Sequence, residues 1–208
     1  MKVLTVEQIK TAEDNAVKNG IFSYTDLMKK AGDSATDEIL KRYKAVGKKV
    51  CVIAGRGNNG GDGLVIAQNL KRAGADVTLL LPFGFPTTET ALFFKSGVEG
   101  INVIDDFCGD YDIIIDALFG IGLNRFLSGS TAELVEKINA YNCVKIAVDV
   151  PSGVFGDGGD VVCAFKADLT LTFTAYKPCQ LLPKTSIYCG ETAVLDIGLP
   201  INDYAYLT

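Results

Sequence analysis

Cys51-Val-Ile-Ala-Gly-Arg-Gly-Asn-Asn-Gly-Gly-Asp-Gly63 begins as an apolar strand, passes through glycine, asparagine and aspartate, and leads into the amphipathic segment Leu64-Val-Ile-Ala-Gln-Asn-Leu-Lys-Arg-Ala-Gly74. Strand, glycine loop and helix in that order are a building unit of a layered α/β sheet. Glycines let the main chain take positive φ or come close to a ligand, and the free N–H groups at the helix start attract an anion such as phosphate. The stretch predicts a small-molecule ligand that carries phosphate.

Two common phosphate loops do not account for it. Gly55-Arg-Gly-Asn-Asn-Gly60 fits G-x-G-x-x-G, but a dehydrogenase also needs an acid about 20 residues on, at the end of the second strand, to hold the ribose. Here that strand reads Asp76-Val-Thr-Leu-Leu-Leu-Pro-Phe-Gly84, with its only acid at the wrong end. The pattern G-x-x-x-x-G-K-[ST] fails because no lysine follows the glycines. Asn58, Asn59 and Asp62 put side-chain oxygens where a plain cradle uses backbone donors. Tight turns use the same residue types, but their density here favours a site.

Working outward, helix and strand patterns alternate. Thr5-Val-Glu-Gln8 reads as a capping box opening a helix that ends near Gly20. A second helix is expected over Thr25–Tyr43, with Gly32 a point of interruption. Strands are expected at Lys49–Ala54, Val77–Leu81, Ile101–Ile104, Asp112–Ile115, Lys145–Val148, Asp168–Thr174 and Thr192–Asp196, and further helices at Asp62–Ala73, Thr88–Ser96 and Ser130–Tyr141. Runs such as Ile113-Ile-Ile115 are apolar on both faces, as a parallel sheet covered by helices requires. The expected fold is a three-layer αβα sandwich, Rossmann-like, with a mostly parallel sheet and an N-terminal helical extension. No linker or repeat divides residues 1–208, so a single domain is expected.

At 208 residues and 48% hydrophobic, the chain can bury one large core. Its net charge of -5 argues against nucleic acid or an anionic membrane as the partner. No run spans a bilayer, no secretory segment is visible, and a cytoplasmic location is expected. The six cysteines lack zinc-site spacing and read as free thiols in a reducing compartment, Cys179 and Cys189 being the pair least safely dismissed. Histidine is absent, so acid–base work falls to Asp, Glu, Lys, Tyr or Cys.

Tyr111-Asp-Ile-Ile-Ile-Asp116-Ala-Leu-Phe-Gly-Ile-Gly122 and Lys145-Ile-Ala-Val-Asp149-Val-Pro-Ser-Gly153 each end a strand on a carboxylate and a glycine turn. Ligands of open α/β sheets sit outside the carboxyl ends of strands, so Asn59, Asp116 and Asp149 are expected in one crevice. Each Asp could alternatively cap a turn.

With Gly57-Asn-Asn-Gly-Gly-Asp-Gly63, Asp116–Gly122, Asp149–Gly153, Ala167–Phe173, Lys177-Pro and Asp196–Pro200 in place, the chain resembles the YjeF N-terminal domain family, the NAD(P)H-hydrate epimerases. The resemblance implies epimerisation of the 6R and 6S forms of hydrated NADH and NADPH, and the chemistry of that step in a chain without histidine points to Asp149 as the acid–base group, with Lys177 assisting by hydrogen bonding or proton transfer. For Lys177, the competing reading is an exposed lysine at a strand end, its stem lying along the surface. It implies substrate contacts from Asn58, Asn59, Gly60, Gly61, Asp62, Gly120, Ile121, Gly122, Leu123, Asn124, Arg125, Phe126 and Asp149, and a potassium ion on Asn59, Asp116 and Ser152. It also suggests a homodimer through the first two helices, whose apolar stripes (Val6, Ile9, Ala12, Ala16; Tyr24, Leu27, Met28, Ala31) could instead cover the sheet. Arg56, Lys29-Lys30 and Cys179 depart from the family pattern without deleting a cation or substrate position. The alternatives are a non-catalytic nucleotide-binding or protein-interaction scaffold, which would have lost the acids, and a kinase-like or dinucleotide-dependent enzyme, which would need the missing lysine or ribose acid.

Overall fold

The computed structural model describes residues 1–201. Among them, the strands in chain order are β1 (Lys49–Ala54), β2 (Asp76–Leu80), β3 (Asn102–Ile104), β4 (Ile113–Ala117), β5 (Val144–Val148), β6 (Leu169–Phe173) and β7 (Glu191–Leu195). Each falls on one of the expected apolar runs. They form one sheet in the order β3-β2-β1-β4-β5-β6-β7, and every pairing is parallel.

The helices are α1 (Val6–Lys18), α2 (Tyr24–Tyr43), α3 (Asn58–Arg72), α4 (Glu89–Leu92), α5 (Gly129–Asn139) and α6 (Pro183–Ser186). A parallel sheet must be covered on both faces, and strand periodicity divides the work. Val52, Ile115, Val148 and Leu171 point into the core shared with α1, α2 and α3, while Cys51, Ile53, Ile114 and Ala147 pack with Val135 and Ile138 of α5. The result is the expected three-layer α/β sandwich.

Three expectations change. α2 runs unbroken through Gly32, where a β-carbon would lie 2.4 Å from the Val65 side chain of α3, so the glycine serves helix packing rather than a break. The helix expected over 88–96 divides into α4 and a 3₁₀ turn at Lys95–Val98, which seats Gly97 against Gln68. α3 begins at Asn58 rather than Asp62, so Asn-Asn-Gly-Gly forms the first turn of the helix. Strand order reverses between β1 and β4, which opens a crevice at their carboxyl ends.

Candidate active site

The crevice is a cavity of about 960 Å³. It is lined by Asn58, Asn59 and Asp62 after β1, by Gly120, Ile121, Gly122, Leu123 and Arg125 after β4, by Asp149 after β5 and by Lys177 after β6. α1 and α2 close it with Glu13, Tyr24, Leu27 and Met28. Its size suits a cofactor-sized ligand.

The glycines of the β1–α3 turn work by permitting close approach. Gly55, Gly57, Gly60, Gly61 and Gly63 are all absent from the positive-φ region, contrary to one of the two roles expected of them. A β-carbon at Gly55 would lie 1.9 Å from the Leu118 carbonyl oxygen, and one at Gly60 1.9 Å from that of Gly55. The turn is therefore pressed against the β4 loop. Gly60 and Gly61 are buried in this packing and do not line the cavity, whereas the first turn of α3 presents N–H groups that have no partner within the helix. Arg56 and Arg125, both exposed, add positive charge at the cavity wall.

Asp149 owes its position to backbone strain. Its φ is 66°, and Val150 N–H donates to the Val148 carbonyl across it at 2.9 Å. Thr174, with φ 69°, is bridged in the same way by Ala175 N–H and the Phe173 carbonyl at 2.8 Å. An i to i+2 bond around a positive-φ residue is the rare γ-turn, and such conformations cost about 1–3 kcal/mol each. The ends of β5 and β6 thus carry matched strained turns. Asp149 is held in its turn by its own N–H to Leu171 O at 2.8 Å, by Gln180 Nε2 to its carbonyl at 3.0 Å, and by Ile121 N–H to Oδ2 at 3.0 Å.

Lys177 is 1% exposed, which removes the reading as a surface lysine. Its Nζ donates to Thr172 Oγ1 at 2.7 Å and Phe173 O at 3.0 Å, and pairs with Asp149 Oδ1 at 2.7 Å. Three acceptors match the three donors of an ammonium group. These contacts fix the pair in place at the floor of the cavity.

Asp116 and Ser152 lie behind the cavity, both fully buried. Ser152 Oγ donates to Asp116 Oδ1 at 2.7 Å, its N–H to Oδ2 at 2.8 Å, and Leu118 N–H to Oδ1 at 3.1 Å. Burial pushes the Asp116 carboxyl up to about 6 while these donors pull it down, and no cationic side chain pairs with it among the described residues. Asn59 has both side-chain polar atoms buried without a partner. Its side chain and Asp149 Oδ2 flank Gly120, where a β-carbon would lie 3.2 Å from the one and 2.8 Å from the other.

Of the sequence-derived site residues, Asn124 and Phe126 are exposed beside the cavity, Phe126 resting on Phe155. Asn59 and Asp149 do share the crevice, with Asp116 set behind it. The sequence reading placed no residue of α1 in the site. Glu13 and Asp14 line the cavity, and burial, reinforced by the nearby Asp149 charge, pushes the Glu13 carboxyl up to about 7. Burial likewise raises Asp62 well above the carboxylate range, helped by Asp149 and Glu13. The cysteines are free, with Cys179 and Cys189 buried as hydrogen-bonded thiols.

The model of a family described as YjeF-related protein N-terminus matches residues 24–179. The NAD(P)H-hydrate epimerase of Limosilactobacillus fermentum is 36% identical over 202 residues, which cover 94% of this chain and 96% of that relative. The bifunctional NAD(P)H-hydrate repair enzyme Nnr of Archaeoglobus fulgidus is 41% identical over 179 residues, 84% of this chain but only 37% of its own length. The crystal structure of yeast ynu0 (YNL200c) aligns with a TM-score of 0.80 at 24% identity over 93% of this chain and 87% of that one, a likeness of fold.

Proposed function

The chain belongs to the family of YjeF-related protein N-termini, and from that premise we propose that it is an isomerase interconverting the 6R and 6S forms of hydrated NADH and NADPH. Residues 1–208 act as one catalytic unit in this reading. The observation that carries it is the buried Asp149–Lys177 pair at the floor of a cofactor-sized cavity in a chain without histidine.

In the hydrate, a hydroxyl sits on a carbon next to the ring nitrogen. Protonated, it leaves as water with the C–O electron pair, and the nitrogen lone pair forms the iminium bond; water then returns to either face. Asp149 is the acid–base group at this oxygen. Lys177, with its three N–H groups occupied, orients Asp149 and assists by hydrogen bonding. The Asp149 carboxyl favours the transient cation electrostatically. Asn58, Asn59 and Asp62, with Gly120 to Leu123 and Arg125, hold the substrate, its phosphates lying at the start of α3 near Arg56.

Asn59, Asp116 and Ser152 are the residues we assign to a potassium ion. They fit one: all offer oxygen, and among the described residues the Asn59 amide is buried without a partner and Asp116 has no cationic partner. Bound there, the ion would offset the buried carboxylate charge and stiffen the backbone of Leu118 and Phe119, which Asp116 and Ser152 already grip.

A homodimer and a cytoplasmic location complete the reading. Ile9, Ala12, Ala16, Leu27, Met28 and Ala31 are spent inside the chain, which leaves exposed Ile21 and Tyr24 to support the dimer. No described helix is long and apolar enough to cross a membrane. An NMR assay starting from one purified hydrate epimer tests the activity: faster appearance of the other epimer with protein supports it, and equal rates with and without protein refute it.

A further inference from the structure

α1 brings Ile9, Lys10, Glu13 and Asp14 to the cavity. Ile9 belongs to the core, and Asp14 accepts a hydrogen bond from the Tyr24 hydroxyl at 2.5 Å. Glu13 is different: it is half-buried, faces the same space as Asp149 and Lys177, and has no hydrogen bond or ion pair to its carboxyl among the described residues. Nothing structural occupies it.

Its placement is fixed. Leu4 N–H donates to the Tyr176 carbonyl at 2.9 Å and Tyr176 N–H to the Lys2 carbonyl at 3.0 Å, so the chain entering α1 is paired with the residue next to Lys177. The Thr5–Gln8 capping box and the bond from Val6 N–H to Asp157 Oδ1 at 2.8 Å set the start of the helix. Ile9, Ala12 and Ala16 then anchor one side of it in the core. Glu13 is thereby carried into the cavity on a rigid element tied to the segment that carries the lysine.

Epimerisation sets a requirement that one acid–base group on one side does not meet. Water leaves from one face of the ring carbon and enters on the other, so a proton must be delivered on the first face and accepted on the second. We propose that Glu13 is the second proton carrier, serving the face of the nicotinamide ring turned away from the Asp149–Lys177 pair; this rests on the epimerase reading. In one direction Glu13 gives its proton to the departing hydroxyl as the C–O bond breaks. Asp149 then takes a proton from the water that adds to the opposite face, as the iminium electron pair returns to nitrogen. The reverse direction exchanges the two roles, and no oxidant or further reactant is needed.

The groups facing Glu13 are Asp149 from the end of β5, Lys177 from the end of β6, Asp62 from α3, and Lys10 and Asp14 on its own helix. Burial leads among the effects that hold its carboxyl at about 7, with Asp149 next, so near neutral pH it exists in both forms a two-way carrier needs.

The test measures the enzyme-dependent epimerisation rate against pH by NMR for wild type, Glu13→Gln and Glu13→Asp, with thermal melts to establish that each folds. Glu13→Gln is expected to lower kcat by roughly a hundredfold with little change in KM and to lose the near-neutral limb of the profile, while Glu13→Asp keeps part of both. A folded Glu13→Gln protein with the wild-type rate and profile would overturn the inference and leave the epimerase reading standing. Wild type that does no better than buffer would overturn both. A carboxyl carbon titration of Glu13 in the resting protein, read by NMR, should fall near neutrality; a midpoint in the ordinary carboxylate range would also contradict the role.

Discussion

Lys177 Nζ lies 2.7 Å from Asp149 Oδ1, and the lysine is 1% exposed. The two residues follow adjacent strands and meet beyond the strained turns at Asp149 and Thr174. Removing one member of a buried pair strands the other charge, at about 3–5 kcal/mol. Lys177→Met should lose that much stability in urea denaturation. Adding Asp149→Asn, which removes the stranded charge and tolerates positive φ, should restore a good part of it. Equal stability of the single and double variants would mean that the pair is not electrostatically coupled.

The glycines of the β1–α3 turn should divide by contact. At Gly57 an added β-carbon meets nothing within 4 Å, and its φ is -92°, so Gly57→Ala should change stability by less than about 1 kcal/mol. Gly55→Ala drives a β-carbon into the Leu118 carbonyl and should lower the melting temperature by many degrees. Similar melts for the two would contradict the close-approach role.

Glu13 makes stability depend on pH. Its carboxyl titrates at about 7 in the folded chain against 4.5 when free, so across that window the unfolded chain has released a proton that the folded chain keeps. Stability is therefore lost as pH rises through the window and is flat above it. Glu13→Gln should be more stable than wild type near pH 8, by an amount of order 2 kcal/mol, and should lose this advantage near pH 4. Chemical denaturation at the two pH values reads the difference.

Much of this was legible in the residues. The central strand runs stood out because both faces of a covered parallel strand are apolar, and Asp116 and Asp149 stood out as acids closing such runs. The start of α3 did not, because Asn-Asn-Gly-Gly is a poor helix former and only packing against Met28 and the β4 loop makes it helical. The depth of Lys177 depends on the strained turn at Thr174, which returns its Nζ to Thr172 and Phe173 and has no local signature. Glu13 was hidden by periodicity: beside the stripe Ile9, Ala12, Ala16 it reads as part of a solvated face, and only the fold puts that face on the cavity.

Potassium should raise the wild-type melting temperature above that in sodium or lithium at equal ionic strength, because an ion that binds only the folded chain stabilises it. Asp116→Ala should abolish the difference. A wild-type melt indifferent to the cation would count against the ion site on Asn59, Asp116 and Ser152.

The central claim is that Asp149 handles the proton at the oxygen that leaves and returns to the reacting carbon. Its most direct test is the epimer-resolved NMR rate of Asp149→Asn beside wild type, with circular dichroism to establish the same fold. The account predicts a rate about a hundredfold lower or more, the scale of a lost acid–base group. A folded Asp149→Asn protein that interconverts the two hydrates as fast as wild type would contradict it.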